Sequence, residues 1–387
     1  MTPGPNSITT EFSQIWESFI PFPYLQVFHR GAYYAVDVIP DEVAVISLNT
    51  MYFYDSNKAV GGCTFRDADD PGNLQLDWLE VQLKHYRNRG LQVWITGHVP
   101  PSPGNFFPDC YVRYVELSLR FQDTILGHLF GHMNADHFSF LEAIDLEFAE
   151  DEDGCKRKTM QQHNLYDTLL HEFSALPTKA KDVDLGDYAV VNTSPPVVPN
   201  PYLPSFRVFS YNISAPAIKT EGKKRRHGHR RGNSPNKAAV CRTKVNKQTW
   251  KCYLNETWYT DPESPSRSNK QWTPLGYAQY YLPNLKDANK THEPRFKLEY
   301  LTFPPQLLHP PAVRADGRHD FRYPIPLRHL PRSLRNASTT ESKYAPYGMA
   351  DLTIGSWMKL AQELGDANSK KLRKRFRKYM YMGGEEG

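Results

Sequence analysis

Two short blocks in the chain pair a glycine with a histidine, Gly97-His98-Val99-Pro100-Pro101 and Gly131-His132-Met133-Asn134-Ala135-Asp136-His137-Phe138. A histidine placed directly after a glycine can leave the scaffold and reach into a cleft, and neutral imidazole is a good ligand for Zn, Mn or Fe. Asn134 adds an amide oxygen two residues beyond His132, so one tight loop can offer two donors. A single Gly-His is more often a hydrogen-bonded loop residue than a ligand. What strengthens the chemical reading is position: Leu91 to Thr96 reads as a short buried strand, which puts His98 at its carboxyl end, where open α/β sheets carry their sites.

The elements that must hold these histidines follow from the pattern around them. Tyr33 to Ile39 and Val43 to Leu48 read as neighbouring strands joined by Pro40-Asp41-Glu42. Asn73 is expected to cap a helix whose apolar face is Leu76, Leu79, Leu83 and Tyr86, ended by Gly90. A second helical stretch is expected from about Tyr111 to Leu129, before the Gly131 loop. The candidates Phe138 to Leu141, Tyr188 to Val191 and Arg207 to Tyr211 are expected to complete a second sheet. The fold class is α/β.

Composition narrows the class further. The chain has 387 residues, a formal net charge of +5 and 31 prolines, above the usual ~5% for proline, so much of it is loop. It contains no run of 18 apolar residues and no charged-then-apolar leader pattern. None of the five cysteines (Cys63, Cys110, Cys155, Cys241 and Cys252) forms a CxxC pair, which argues against a zinc ribbon. Cys241 and Cys252 are close enough in sequence to close a hairpin around Trp250 as a disulfide in an oxidising compartment. Sequons at Asn192, Asn212, Asn255, Asn289 and Asn336 all lie beyond the histidine blocks, as glycosylation candidates on a lumenal surface would. Glu147 to Asp153 reads as a solvated acidic loop.

Near residue 219 the composition shifts. Lys219, Lys223, Lys224, Arg225, Arg226, Arg230 and Arg231 lie in a Gly/Ser/Pro/Asn-rich run that reads as a basic flexible linker over 219–240. No aromatic interleaving accompanies it, so no specific nucleic-acid partner is expected. The segment 241–387 reads as an irregular Pro-, Tyr- and Trp-rich extension ending in one helix, Ile354 to Met380. That helix places Trp357, Leu360, Leu364, Leu372, Phe376 and Tyr379 on one side. Its end carries Lys370, Lys371, Arg373, Lys374, Arg375, Arg377 and Lys378. Such a cluster is either a solvated helix end that suits the macrodipole or a contact for a polyanion, bound by counterion release.

Taken with Tyr33-Tyr34, Val45 to Asn49 and Asp70 to Leu79, the histidine blocks resemble the calcineurin-like metallophosphoesterases, in the branch of acid sphingomyelinase and the fungal endopolyphosphatases. Asn134 and the segments Pro346 to Thr353 and Lys378 to Gly384 point to the endopolyphosphatase side. The resemblance implies an α/β sandwich, with residues 1–218 the C-terminal half of the phosphoesterase domain. It also implies two divalent ions (Mn, Mg, Co, Zn or Fe), with His98 and His132 on one metal and Asn134 toward the other. His128 and His137 would lie outside the ligand shell. The family's Asp-x-His, Gly-Asp-x-x-Asp and Gly-Asn-His/Asn-Asp blocks have no counterpart before His98. The expectation is therefore an incomplete site, inactive on its own, with catalytic residues unassigned. The implied substrate is inorganic polyphosphate and the implied location the vacuole, with a membrane anchor in full-length relatives. The alternatives are a sphingomyelinase-like phosphodiesterase and a non-catalytic polyanion-binding fragment.

Overall fold

A computed structural model describes residues 2–148, 164–179, 182–199, 201–213, 229–230, 237–255, 257–309, 323 and 325–382. Helices α1 (Ser7–Ile15) and α2 (Leu25–Gly31) lead into β1 (Tyr34–Ile39) and β2 (Val43–Ser47), which pair antiparallel. There follow α3 (Pro71–Arg89), β3 (Gln92–Thr96), α4 (Pro108–Arg120), β4 (Ile125–Phe130), β5 (His137–Glu142), α5 (Leu165–Ala175), β6 (Tyr188–Thr193) and β7 (Ser205–Tyr211). A two-residue pair, β8 (His229–Arg230) and β9 (Thr257–Trp258), brackets a short turn of helix, α6 (Lys237–Val240). The chain closes with β10 (Pro274–Tyr281), β11 (Lys297–Leu301), α7 (Ile354–Gly365) and α8 (Lys370–Met380).

Six strands form one sheet in the order β1-β2-β3-β4-β6-β5, with β2, β3, β4 and β6 parallel. Parallel strands are covered on both faces, which is why these segments read as near-continuous apolar runs. One face is closed by α3 and α4. Leu76, Leu79, Leu83 and Tyr86 of α3 are buried against Val93, Ile95, Tyr114 and Val115. The opposite face meets a second, antiparallel sheet ordered β11-β10-β7, through Trp94 against Phe209 and Tyr211 at ring separations of 5.8 and 6.2 Å. Helices α5 and α7 continue that layer, with Phe138 stacked on Phe173 and packed on Trp357.

Several expectations need correction. Phe138 to Leu141 and Tyr188 to Val191 belong to the first sheet as β5 and β6; of the three candidates only Arg207 to Tyr211 joins the second. Its partners β10 and β11 come from beyond the expected linker, so the second sheet is built from both sides of it. The helix expected to run to Leu129 stops at Arg120, because Ile125-Leu-Gly-His-Leu-Phe130 finds a parallel partner in β3. The cap of α3 is Asp70, whose carboxylate accepts from the N–H groups of Asn73, Cys63 and Gly61. Asn73 stands inside the helix. The terminal helix is two helices, broken where Gly365 packs so tightly on the backbone of Phe173 that a Cβ would lie 2.5 Å from its carbonyl oxygen. Most of the basic linker, Cys155 and residues 149–153 of the acidic loop lie outside the described residues.

Two disulfides brace the architecture. Cys241–Cys252 is the expected pair, and Cys63–Cys110 ties the loop before α3 to the first turn of α4. The second closes a 47-residue separation within the layer that supports β3 and β4. Replacing both Cys63 and Cys110 by alanine is expected to cost about 2–4 kcal/mol, read as a lower urea midpoint at constant slope. An unchanged midpoint would show that the bond adds nothing to the packing around it.

Candidate functional site

The parallel neighbours β3 and β4 deliver His98 and His132 to the same edge of the sheet, just past their carboxyl ends. Gly97 is obligatory there: a Cβ would meet Thr50 Cγ2 at 2.5 Å and the Phe130 ring at 2.7 Å. The backbone N–H groups of His98 and Val99 donate to Thr50 Oγ1 at 3.1 and 2.8 Å, and the Gly131 N–H donates to the His98 carbonyl at 2.9 Å. The two loops are thus tied to each other before any side chain is considered. His132 and Asn134 both adopt left-handed backbone, at φ of 68° and 56°, a conformation that costs energy unless the surroundings impose it.

The two imidazoles meet. His98 Nε2 and His132 Nδ1 lie 3.3 Å apart, with ring planes at 80°, and Tyr54 packs edge-on against His132. Two ligands about 2.0–2.1 Å from a single tetrahedral ion would be separated by about 3.3 Å, so the spacing suits a shared metal. His98 is exposed and His132 half-buried. Burial, with the neighbouring His98 second, lowers the pKa of His132 below the usual imidazole value. That shift favours the neutral, ligating form. Asn134 sits half-buried on the same loop, and its side chain makes no hydrogen bond among the described residues. No third His, Cys, Asp or Glu joins the pair among the described residues.

The loop is held from below by Asp136, which the motif contains but whose role sequence reasoning missed. Its carboxylate is 4% exposed, pairs with Arg207 on β7, and accepts from Gln279 (2.7 Å) and Tyr300 (2.6 Å) on β10 and β11. Its backbone N–H donates to the Met380 carbonyl at the end of α8, at 2.9 Å. Gln279 also donates to Glu299, a carboxyl that burial pushes up to about 8. The only sequence signal was an acidic residue inside the histidine block, which has to be compensated when buried.

His128 and His137 stay apart from the pair. His128 is buried against Tyr114, at 2.7 Å from its hydroxyl, and burial holds its pKa down to about 3. His137 Nδ1–H donates to the Ala135 carbonyl, 2.9 Å away, and burial pushes its pKa down to about 4. In the basic tail, Arg373 is structural. Its guanidinium donates to the carbonyls of Leu364 and Gly365, capping the end of α7. Arg377 packs over the Tyr166 ring, and Arg375 is half-buried, while Lys370, Lys371, Lys374 and Lys378 are exposed. Among the sequons, Asn192 is 6% exposed within β6, between two paired strands, where a glycan has no room. Asn212 is half-buried and bonded to Asn269, whereas Asn255, Asn289 and Asn336 are exposed.

The fold is thus an α/β sheet that brings two imidazoles together at adjoining strand ends. The chain belongs to the endopolyphosphatase family. It is 34% identical to an endopolyphosphatase of Cryptococcus neoformans over 475 aligned positions, covering 99% of this chain and 68% of that relative. A Schizosaccharomyces pombe endopolyphosphatase is 28% identical over 94% of this chain, which spans 59% of its length. A Saccharomyces cerevisiae endopolyphosphatase is 39% identical over 135 positions, 35% of this chain. No protein-family model matches.

The geometry makes a direct expectation for the pair. In metal-free protein, the His132 ring should titrate below 6.5 by NMR, and His98→Ala should raise its pKa only part of the way back, because burial is the larger cause. An unshifted His132, or full recovery in the variant, would contradict the arrangement.

Proposed function

We propose that the whole protein, whose curated relatives are longer than this chain, is a metal-dependent endopolyphosphatase. It would hydrolyse internal phosphoanhydride bonds of inorganic polyphosphate at the edge where β3 and β4 end. The observation that supports this reading is the 3.3 Å approach of His98 and His132, joined by a backbone hydrogen bond between their loops. His98 Nε2 and His132 Nδ1 would hold one divalent ion, with the Asn134 amide directed to a second. When bound, such ions supply charge neutralisation at phosphoryl oxygens and an activated water. The chain's own part is to fix both imidazoles and to hold His132 in its neutral form.

The exposed lysines of α8 would hold the polyanion away from the scissile bond. Helix α8 ends at the carbonyl that receives the Asp136 N–H, so the helix runs up to the histidine loop. Two disulfides and three exposed sequons suit an oxidising, lumenal compartment, and the vacuole is the compartment that the family resemblance implies. No helix among the described residues is long and apolar enough to cross a membrane.

The test is cleavage of long-chain polyphosphate by the whole protein with Mn, Co or Zn, with product lengths read on gels. Endo cleavage should give intermediate lengths, and His98→Ala or His132→Ala should lower the rate by roughly 100-fold or more, with Asn134→Ala milder. The 387-residue chain assayed alone should stay at background, since no carboxylate among the described residues joins the histidine pair. Full activity in both histidine variants would overturn the assignment.

A further inference from the structure

The cationic surface of the protein extends beyond helix α8. Lys370, Lys371, Lys374 and Lys378 share one exposed face of that helix, over a rise of about 12 Å. From there the Tyr379 hydroxyl donates to the Lys343 carbonyl, which seats the segment 341–344 against the helix. Ser342 Oγ in turn lies 3.5 Å from Ser333 Oγ, and the Tyr344 N–H donates to Ser342 Oγ at 3.2 Å. Segment 341–344 is thereby joined to a turn built from two short 3-10 helices, Leu327–His329 and Arg332–Leu334. Arg335 folds that turn by donating to the carbonyls of Leu330 and Arg328, at 2.9 and 3.3 Å.

Arg328, His329, Arg332 and Lys343 are all exposed on this second segment, and none pairs with a carboxylate among the described residues. Glu341 is the acidic side chain exposed beside them. Cations placed together without compensating carboxylates repel one another, and a bound polyanion relieves that repulsion while releasing counterions. A charged helix of about 12 Å meets only a short run of a linear polyanion. The two segments together meet a longer one.

We propose that Arg328, Arg332 and Lys343 form, with the lysine face of α8, one continuous track that binds a linear inorganic polyphosphate chain outside the histidine site. This rests on polyphosphate being the substrate and adds how a long chain is held. It accounts for three exposed cations that sequence reading did not single out, on a segment joined to the helix by the Tyr379–Lys343 hydrogen bond. It also makes binding depend on chain length, because a short oligomer cannot span both segments.

The experiment measures binding of end-labelled polyphosphate of about 100 units, and of tripolyphosphate, to the 387-residue chain in EDTA, by fluorescence anisotropy across a salt series. Four proteins are compared: the parent, Arg328→Gln/Arg332→Gln/Lys343→Gln, Lys370→Gln/Lys371→Gln/Lys374→Gln, and Arg328→Lys/Arg332→Lys. Each triple variant should weaken long-chain binding about tenfold and reduce the slope of log K against log salt by about two, with tripolyphosphate little affected. Arg328→Lys/Arg332→Lys should restore parental affinity, which separates charge from loss of folding. Parental affinity in the first triple variant, an equal loss for tripolyphosphate, or displacement by RNA of equal charge as readily as by polyphosphate would overturn the proposal. If only the α8 variant weakens binding, the track fails while the substrate reading stands. If the track binds but the whole protein cleaves nothing, the catalytic reading fails alone.

Discussion

Asp136 is buried between the loop that carries His132 and the second sheet, and a charge in that position has to be compensated on the spot. Arg207, Gln279 and Tyr300 do so, each from a different strand of the second sheet. Removing one partner of a buried pair leaves the other uncompensated, at a cost of about 3–5 kcal/mol. The same residue's backbone N–H receives the end of α8 through the Met380 carbonyl. Loop, second sheet and terminal helix are therefore joined through one residue.

That junction explains how two strained positions persist. His132 and Asn134 hold left-handed backbone on either side of Met133, a geometry the local sequence alone does not favour. Below them stand the Asp136 network and the His137–Ala135 contact; above, the Gly131–His98 hydrogen bond closes the loop onto its neighbour. The histidine pair is thus the exposed end of a buried scaffold. The extension beyond residue 241 contributes to it through β10, β11 and α8, not as a separate layer.

The α/β class, β2, β3 and the α3 face were legible in the sequence because each depends on local information, and the His98–His132 pairing because the family resemblance added to the local strand-end pattern. Apolar runs mark β2 and β3, the α3 face repeats at helical spacing, and glycine precedes each of the two histidines. What escaped reading depended on contacts distant in sequence. Ile125 to Phe130 has helix-compatible residues but takes strand form because β3 lies beside it. Arg373 looks like one cation among seven until its guanidinium is seen closing the end of α7. Asp136 carries no periodic signal at all, since its partners lie 71 to 164 positions away. Asn192 forms a sequon, yet its strand is central and buried.

The proposed function stands or falls on whether His98 and His132 share one ion. Anomalous diffraction from crystals of the protein grown with Zn tests it directly. A single strong peak is expected about 2.0–2.1 Å from both His98 Nε2 and His132 Nδ1, lost in His132→Ala crystals. Density showing the two rings hydrogen-bonded to each other in saturating Zn, with no peak between them, would contradict it.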